Sequence, residues 1–326
     1  MKISYTQLRM WKRCKRKWWY RYVNGLIPKQ RRTPITLGIY GHMLLENHYM
    51  GNDVKLSSNH YYQQLIRDQP EDMAASFAEI REQAENLYKR YVCHYKTHDQ
   101  NWEVVVAERE YEVPIPGTAD THLRFTVDLI VQTLEGEVWL VDHKFTRQDL
   151  ESWGDWLVLD EQANLYLWGL KELGHNVNGV IFNLIRTKEP TIPKLLKSGQ
   201  LSKAKSIDTD PDTYLQAILD NQLNVRDYID VLEHLETTSK PFFKRYKAYR
   251  TADQLEMVGK EISSMVTDFQ ANRDSYPVRH ATHDCRWDCP YLGLCIMDSK
   301  QIDPEYYISV EFERNGKNLD CKRGRT

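Results

Sequence analysis

The sequence predicts an α/β fold in which a mixed central sheet is flanked by helices. Three segments in the middle of the chain, at residues 103–115, 123–134 and 137–145, are predicted to be strands, and the first of them alternates and is rich in valine. An amphipathic helix is predicted at 160–173 and a further apolar strand at 179–188. Because predicted helices precede and follow this strand-rich region, the order indicates one α/β unit with helical additions.

Composition sets the broad class of the protein. The 326 residues suffice for one large domain or two small ones, and 41% hydrophobic with 28% charged residues is ordinary for a globular chain. The N-terminal segment has no apolar signal-peptide core and no apolar run is long enough to span a bilayer, so a cytoplasmic location is expected. The formal net charge of −2 creates no global attraction for nucleic acid, and a nucleic-acid site would therefore be a local basic patch.

The N-terminal segment is the first candidate for such a patch. A helix is predicted over residues 5–23, opened by a capping box of Ser4 and Gln7. The residues predicted to face inward are Leu8, Trp11 and Trp18. The basic residues predicted to be exposed are Arg9, Lys12, Arg13, Lys15, Arg16, Lys17 and Arg21. Basic and aromatic residues together suit a nucleic-acid strand, but a solvated helix with buried aromatics gives the same pattern.

Further helices are predicted around and after the sheet. In the segment 36–49, Gly38 and Gly41 would precede or open a helix, which places His42 near its start. A lone histidine is more often structural than a ligand, and His42 gains weight only if the fold brings it to Asp142. Two more helices are predicted at 212–237 and 252–272, and one before the sheet at 72–95. The basic, aromatic segment 240–250, between the helices predicted at 212–237 and 252–272, is either a second nucleic-acid contact or an edge strand.

The segment 138–147, VWLVDHKFTR, predicts a buried strand that carries Asp142 and Lys144. Residues two apart in a strand point to the same face, so this carboxylate and this ammonium lie side by side. Buried charges are costly without a partner or a function. A carboxylate can hold a divalent cation, and a lysine can orient a water molecule or neutralise developing charge. A plain ion pair is the alternative interpretation of the motif.

The turn before this strand decides what stands beside Asp142. A two-residue turn at 135–136 would set Asp128 opposite His143. A three-residue turn, with Gly136 at a positive φ angle, would set Asp128 opposite Asp142. We predict the three-residue turn, which places two carboxylates beside the lysine.

Cysteine usage points to a second metal site. Near the end of the chain stands a C-x3-C-x5-C pattern formed by Cys285, Cys289 and Cys295. In a chain without export signals this pattern suggests metal more than disulfides. Cys93, and Cys321 in the polar and basic tail, are predicted to be free thiols without function.

The order of these motifs resembles the RecB-like branch of the PD-(D/E)XK nucleases. The residues that carry the resemblance are His42, Asp128, Asp142-x-Lys144, and Gln162 with Tyr166 four residues later. Val127 stands where the name-giving proline would be. Cys14 together with the three late cysteines resembles the iron–sulfur subset of that branch, which includes the AddB nuclease domain, the CRISPR-adaptation nucleases and exonuclease V. The stretch 179–203 also resembles phage-borne members.

The resemblance implies a set of metal ligands. Asp128 and Asp142 would hold Mg²⁺ or Mn²⁺, with His42 and the carbonyl oxygen of His143 completing the protein ligands. Oxygen ligands suit these hard cations, and a histidine ligand tilts the site toward Mn²⁺.

The resemblance also assigns roles around the metal. Lys144 would orient the attacking water or stabilise charge on the phosphate. Gln162 and Tyr166 would position Lys144 and the nucleic-acid backbone. Glu108, on the preceding strand, is a further candidate.

For the cysteines, the resemblance implies a [4Fe–4S] cluster that joins the N-terminal helix to the C-terminal segment. Its ligands would be Cys14, Cys285, Cys289 and Cys295. The alternative is a local Zn²⁺ site in which His280 or His283 replaces Cys14.

The expected function is a metal-dependent deoxyribonuclease, an exonuclease acting on single-stranded DNA or DNA ends in replication, recombination or repair, with a helicase or recombination protein as a candidate partner. The alternative is a catalytically inactive DNA-binding or assembly protein built on the cysteine site. The expected organisation is a single nuclease domain over 1–312, with its core at about 36–190, a helical addition at about 200–275, the cysteine segment 285–295 closing onto Cys14, and a polar basic tail at 313–326.

Overall fold

A mixed α/β fold is observed in the computed structural model, which describes residues 1–29, 33–67, 71–204 and 206–314. The strands are β1 (Lys2–Ser4), β2 (Leu26–Pro28), β3 (Trp102–Pro114), β4 (His122–Thr133), β5 (Val138–Thr146), β6 (Gly179–Arg186), β7 (Phe243–Tyr249) and β8 (Phe312–Arg314). The helices are α1 (Tyr5–Arg13), α2 (Lys15–Trp18), α3 (Thr33–Tyr49), α4 (Val54–Ile66), α5 (Glu71–Asp99), α6 (Glu161–Glu172), α7 (Pro211–Asp220), α8 (Ile229–Thr238), α9 (Ala252–Asn272), α10 (Cys285–Asp288), α11 (Leu292–Ser299) and α12 (Glu305–Glu311). The predicted fold class is confirmed. Within the described ranges, no helix combines the length and the apolar character needed to cross a membrane.

The central sheet has the order β1-β4-β5-β6-β7, and β3 pairs with β4. Strand β5 runs parallel to β6, while β4 is antiparallel to both β3 and β5. β4 pairs with β1 at residues 122–124 and with β5 at residues 129–132. Residues 125–128 of β4, which end at Asp128, are therefore paired with neither β1 nor β5 on this edge of the strand. A second sheet joins β2 to β8.

The hairpin between β4 and β5 has the predicted three-residue turn. Gly136 has a φ angle of +83°, and Thr133 donates its N–H to the carbonyl of Glu137 at 2.9 Å. A glycine accepts this left-handed conformation because it has no Cβ. The last pair of the β4–β5 ladder is Leu129 with Val141, and continuing this register sets Asp128 opposite Asp142. The predicted register is confirmed.

Helices cover both faces of the sheet. The largest core joins α1, α6 and α9 to the sheet through residues such as Trp11, Trp168 and Ile262, packed with Leu140 and Phe182. On the other face, α3 and α5 pack against the ends of β5 and β6. The middle of β5, residues 139–143, is thus buried between helical layers, which separates Asp142 from bulk water.

The N-terminal helix differs from its prediction as a single helix over 5–23. Helix α1 ends at Arg13, Cys14 is extended (φ −164°, ψ 110°), and α2 leads into a π-helical turn, Trp19–Val23. The sulfur of Cys14 accepts the N–H of Lys17 at 3.5 Å and so caps the second helix. Arg16, predicted exposed, is buried and donates to the hydroxyl of Tyr276.

Helix α3 also differs, because Gly38 and Gly41 lie inside it and do not open it. A Cβ atom at Gly41 would lie 2.4 Å from the ring of Phe145 on β5. Glycine at this position therefore lets α3 approach the sheet closely. The close approach carries the next residue, His42, to Asp128 in the middle of β4.

The remaining predictions are met in part. The helix predicted at 212–237 is divided into α7 and α8 by a 3₁₀ turn, Val225–Tyr228, whereas α5 and α9 confirm the other two. The segment 240–250 contains β7, an edge strand. Of the predicted basic tail, residues 315–326, including Cys321, lie outside the described residues. Cys93 on α5 is an exposed free thiol.

Candidate active site

The gap between β4 and β5 forms the centre of the candidate site. Asp128 stands at the first position of β4 beyond its pairing with β5. Its Oδ2 accepts the backbone N–H of His143 at 2.8 Å, so a side chain replaces the missing ladder partner. This hydrogen bond orients the Asp128 carboxylate, because one oxygen is held by the rigid backbone of β5.

A group of three potential metal ligands surrounds Asp128. The ligand atoms of His42, Glu108 and Asp128 lie within 4.8 Å of one another, and His42 Nδ1 is 3.6 Å from Asp128 Oδ2. The three residues come from α3, β3 and β4. The group does not include Asp142, to which the sequence argument tied His42, and its third member is Glu108, which the sequence ranked only as a further candidate.

Glu108 reaches this position through an unusual backbone. It lies between two paired positions of β3, opposite Asp128, and has a φ angle of +44°. A non-glycine residue at positive φ costs on the order of 1–3 kcal/mol and occurs most often at functional sites. Burial, followed by the charges of Asp128 and Glu46, raises the pKa of Glu108 to about 8. A bound cation would relieve this repulsion.

Asp142 and Lys144 lie side by side, as the strand periodicity predicts. Lys144 Nζ is 2.7 Å from Asp142 Oδ2 and 3.4 Å from Asp160 Oδ2. Burial and the nearby carboxylates of Asp128 and Asp160 raise the pKa of Asp142, against the opposing charge of Lys144. Burial opposes the charged form of Lys144, but Asp142 and Asp160 together raise its pKa, so the ammonium persists.

The donor chemistry of this site fits a hard divalent cation. Asp142 Oδ2 is buried and receives no aligned hydrogen bond from the described residues, despite the nearby ammonium. His42, Glu108 and Asp128 add one imidazole and two carboxylates within a few ångströms. Carboxylates with one imidazole suit Mg²⁺ or Mn²⁺.

Helix α6 supplies the next set of contacts to Lys144. Gln162 Oε1 lies 3.5 Å from Lys144 Nζ, and Gln162 Nε2 donates to the hydroxyl of Tyr166 at 3.1 Å. The helical spacing of four residues puts the two side chains on one face. Asp160 was missed by the sequence reasoning. It caps α6 by accepting the N–H of Ala163 at 2.9 Å, and an aspartate at the first position of the helix predicted over 160–173 is the signal that could have found it.

The side chain of His143 alternates to the other face of β5 from Asp142 and Lys144, and its ring centre lies 6.1 Å from that of His42. Asn183, its partner in the parallel register with β6, donates to His143 Nδ1 at 2.7 Å, and the imidazole stacks on Tyr49. Burial, followed by the charges of His42 and Arg245, places the pKa of His143 well below its usual value. The imidazole is therefore neutral, and its contribution is to hold the backbone that orients Asp128.

Removing the amide of Asn183 tests this support. Asn183 also donates to Tyr91 at 2.8 Å and accepts from Arg245. Asn183→Leu therefore removes the amide partner of the buried His143 Nδ1, and Tyr91 and Arg245 each lose one of their hydrogen bonds. We expect the free energy of unfolding to fall by about 2–3 kcal/mol in denaturant titrations. The control Gln216→Leu replaces an exposed amide and should shift it by less than about 0.5 kcal/mol. Equal effects of the two substitutions would contradict this role.

The cysteine residues of the two termini approach one another. Cys14 Sγ accepts the N–H of His280 at 3.5 Å, and Cys285 Sγ lies 4.0 Å from the carbonyl oxygen of the same residue. Burial raises the pKa of Cys289 and Cys295, and the other cysteines add to the effect. Among the described residues, no three cysteine or histidine ligand atoms in this region lie within 4.8 Å of one another.

Taken together, the structure has the features of a phosphodiester-hydrolysing nuclease. Acidic residues stand where neighbouring strands β4 and β5 of a mixed sheet cease to pair, and a charged lysine lies beside them. The family model of the PD-(D/E)XK nuclease superfamily matches residues 2–296. The chain therefore belongs to this superfamily, and the prediction of its class as a metal-dependent nuclease is confirmed at that level. No curated protein matches the chain in sequence.

Proposed function

We propose that the protein is a Mg²⁺- or Mn²⁺-dependent deoxyribonuclease of the RecB-like branch, acting as an exonuclease on single-stranded DNA or DNA ends. The observation that carries the proposal is the position of the Lys144 ammonium. It is held beside Asp142, which stands opposite Asp128 in the β4–β5 register, and Asp128 lies beside His42 and Glu108. A site with this charge distribution can hold a cation and a phosphate together.

The metal would be held by His42, Glu108, Asp128 and Asp142. When bound, a divalent cation supplies charge that neutralises the scissile phosphate and acidifies a water molecule. The backbone of His143 supports a further ligand, because the N–H and C=O of one residue in an extended strand point to the same edge. Its N–H faces Asp128, and its carbonyl oxygen therefore faces the same gap.

Lys144 acts on the phosphate as a fixed donor. Its ammonium stays protonated at neutral pH and is held from three sides by Asp142, Asp160 and Gln162. A positioned ammonium stabilises negative charge as it develops on the phosphoryl oxygens and can orient the attacking water. Tyr166 restrains Gln162, whose amide in turn limits the movement of Lys144.

The four cysteines are proposed to hold a [4Fe–4S] cluster that joins the N-terminal helices to the C-terminal segment. Two features support this assignment. Backbone N–H groups of Lys17 and His280 both point to Cys14 Sγ, which suits a thiolate. Cys285 Sγ lies 4.0 Å from the carbonyl oxygen of His280, so the residue that donates to Cys14 also adjoins a second proposed ligand.

Cys14→Ser tests the cluster. We expect anaerobically purified variant protein to lose most of its iron, acid-labile sulfide and visible absorbance, and to melt at a lower temperature. Cys93→Ser, at an exposed thiol on α5, is the matched control and should retain the metal content of the parent. If the parent protein contains stoichiometric zinc and no iron, the [4Fe–4S] assignment is wrong and the zinc site is the correct interpretation.

The proposed activity is tested with end-labelled linear and circular single-stranded DNA in Mn²⁺, Mg²⁺ or EDTA. Metal-dependent loss of the linear DNA with survival of the circle is the expected result, and the end lost first gives the polarity. Cleavage of circles would overturn the exonuclease assignment while keeping the nuclease. Absence of cleavage in both metals by protein that binds DNA would overturn the proposed activity.

A further inference from the structure

A cavity of about 890 Å³ lies beside Lys144. Its walls come from α1, α6, α9 and the 3₁₀ segment Leu150–Leu159. Lys144, Asp160 and Gln162 are among the residues that line it, so the cavity reaches the catalytic lysine of the proposed nuclease. The inference below rests on that proposed function and concerns the form of its substrate.

The charges along the cavity favour a phosphate chain. Lys12 is paired with Glu161 at 2.5 Å, and Asp160 is paired with Lys144. Arg9 makes no ion pair or hydrogen bond within the described part of the chain.

Arg250, on the same cavity wall, makes its hydrogen bonds to neutral groups. Its partners are the side-chain oxygen of Asn164 at 2.7 Å and the carbonyl oxygens of Leu157, Val158 and Tyr249. Glu261 is the lining carboxylate without an ion-pair partner among the described residues. The lining thus carries four basic side chains, Arg9, Lys12, Lys144 and Arg250, against three carboxylates, Asp160, Glu161 and Glu261. The guanidinium of Arg9 is free to bind a phosphate in two-pronged geometry, and Arg250 adds positive charge.

Large apolar side chains stand exposed on the same cavity. Trp156 is 65% exposed, and Leu159 and Met257 are also more than half exposed. Trp156 lies in the 3₁₀ segment two residues after Gly154, whose non-helical backbone (φ 9°, ψ −117°) interrupts the helix. An exposed indole on the same cavity as the unpaired guanidinium of Arg9 and the basic side chain of Arg250 combines a stacking surface for a base with contacts for its phosphates.

We propose that this cavity binds an unpaired nucleic-acid strand, with a base stacked on Trp156 and phosphates held by Arg9 and Arg250, on its path to Lys144. A base within a duplex is already stacked on both faces, so the indole can reach only a base that is unpaired or frayed. The cavity thus selects single strands at the step of binding.

The test measures binding without cleavage, using the full-length protein in EDTA. The probes are a fluorescein-labelled oligodeoxythymidylate and a blunt duplex of equal length, both followed by fluorescence anisotropy. Trp156→Ala should raise the Kd for the single strand about tenfold, whereas Trp156→Phe should recover most of the affinity. The Kd for the duplex should change less than about twofold in both variants. Tyr306→Ala, which removes an 83% exposed aromatic ring from α12, is the matched control and should leave both values unchanged.

The salt dependence of binding tests the phosphate contact separately. Arg9→Gln should lower the slope of log Kd against log salt by about 0.7 for the single strand, as expected for one lost phosphate contact. An unchanged slope would remove Arg9 from the strand path. An unchanged Kd in Trp156→Ala, or an equal loss of affinity for single strand and duplex, would overturn the proposal. Contact with a protein partner would then be the remaining role for the exposed indole.

The same proteins assayed with Mn²⁺ separate this inference from the nuclease proposal. If the parent cleaves and Trp156→Ala binds and cleaves single strands equally well, the strand path is wrong and the nuclease proposal stands. If the parent does not cleave but Trp156→Ala binds single strands about tenfold more weakly, the strand path stands and the nuclease proposal fails.

Discussion

Replacing Lys144 with methionine is expected to lower the rate of metal-dependent DNA cleavage by at least about 100-fold, the cost of removing one positioned donor from a transition state. Ion pairs with Asp142 and Asp160 hold this ammonium at the site. Single-turnover cleavage of end-labelled DNA at saturating enzyme is the appropriate measurement, because it separates the chemical step from DNA binding.

The matched control is Lys171→Met, which replaces an exposed lysine of α6 and should leave the rate unchanged. The removal of Lys144 also leaves Asp142 buried beside two other carboxylates, and the free energy of unfolding should fall by about 3 kcal/mol. The double variant Asp142→Asn, Lys144→Met should recover part of that loss but none of the activity. Cleavage at the parental rate by folded Lys144→Met protein would place the active site elsewhere.

Replacing Glu108 with glutamine is expected to reduce metal-dependent cleavage by about 10- to 100-fold and to stabilise the metal-free protein. The carboxylate of Glu108 lies close to Asp128 in a partly buried site, and the neutral amide keeps its shape while removing the like charge. The free energy of unfolding in EDTA should rise by about 1 kcal/mol, as is common when a strained functional residue is replaced. Activity and stability therefore change in opposite directions.

The stabilisation by Glu108→Gln should depend on pH. The pKa of Glu108 rises from 4.5 to about 8 on folding, so between these values the folded metal-free protein binds more protons than the unfolded chain. Stability of the parent therefore falls as pH rises through this window. The difference between variant and parent should grow over the same range and level off above it. Denaturant titrations at several pH values measure this difference.

Glu110→Gln provides the control for both effects. Glu110 lies two residues further along β3, is half exposed, and forms only a loose ion pair with Arg124 at 3.7 Å. Its replacement should change neither the activity nor the pH dependence of stability. If Glu108→Gln cleaves DNA as the parent does, Glu108 is not a ligand and its strained backbone has another cause.

Local periodicity accounts for the parts of the site that were predicted correctly. Alternation along β5 puts Asp142 beside Lys144, and one turn of α6 puts Gln162 beside Tyr166. The tight turn at Gly136 sets the register of the hairpin and with it the position of Asp128. Each of these relations spans a short stretch of chain, where the geometry of a strand, turn or helix determines which side chains meet.

Contacts between separate elements account for the parts that were not predicted. Glu108 joins the site through a positive φ angle inside a strand, which no periodicity indicates. The break at Cys14 follows from contacts with Lys17 and with His280, a residue far away in sequence. His143 is oriented by Asn183 on a different strand.

The sequence by itself determined the fold class, the hairpin register and the pairing of a carboxylate with a lysine on one strand face, because these depend on short-range geometry. Only the tertiary structure decided which residues complete the site. The packing of α3 on Phe145 brings His42 to Asp128, and the pairing of β3 with β4 brings Glu108 to the same point. These side chains lie in separate elements, and the packing of whole helices and strands sets the distances between them. Local sequence patterns indicate which side chains share a face of one element, but they do not indicate these distances.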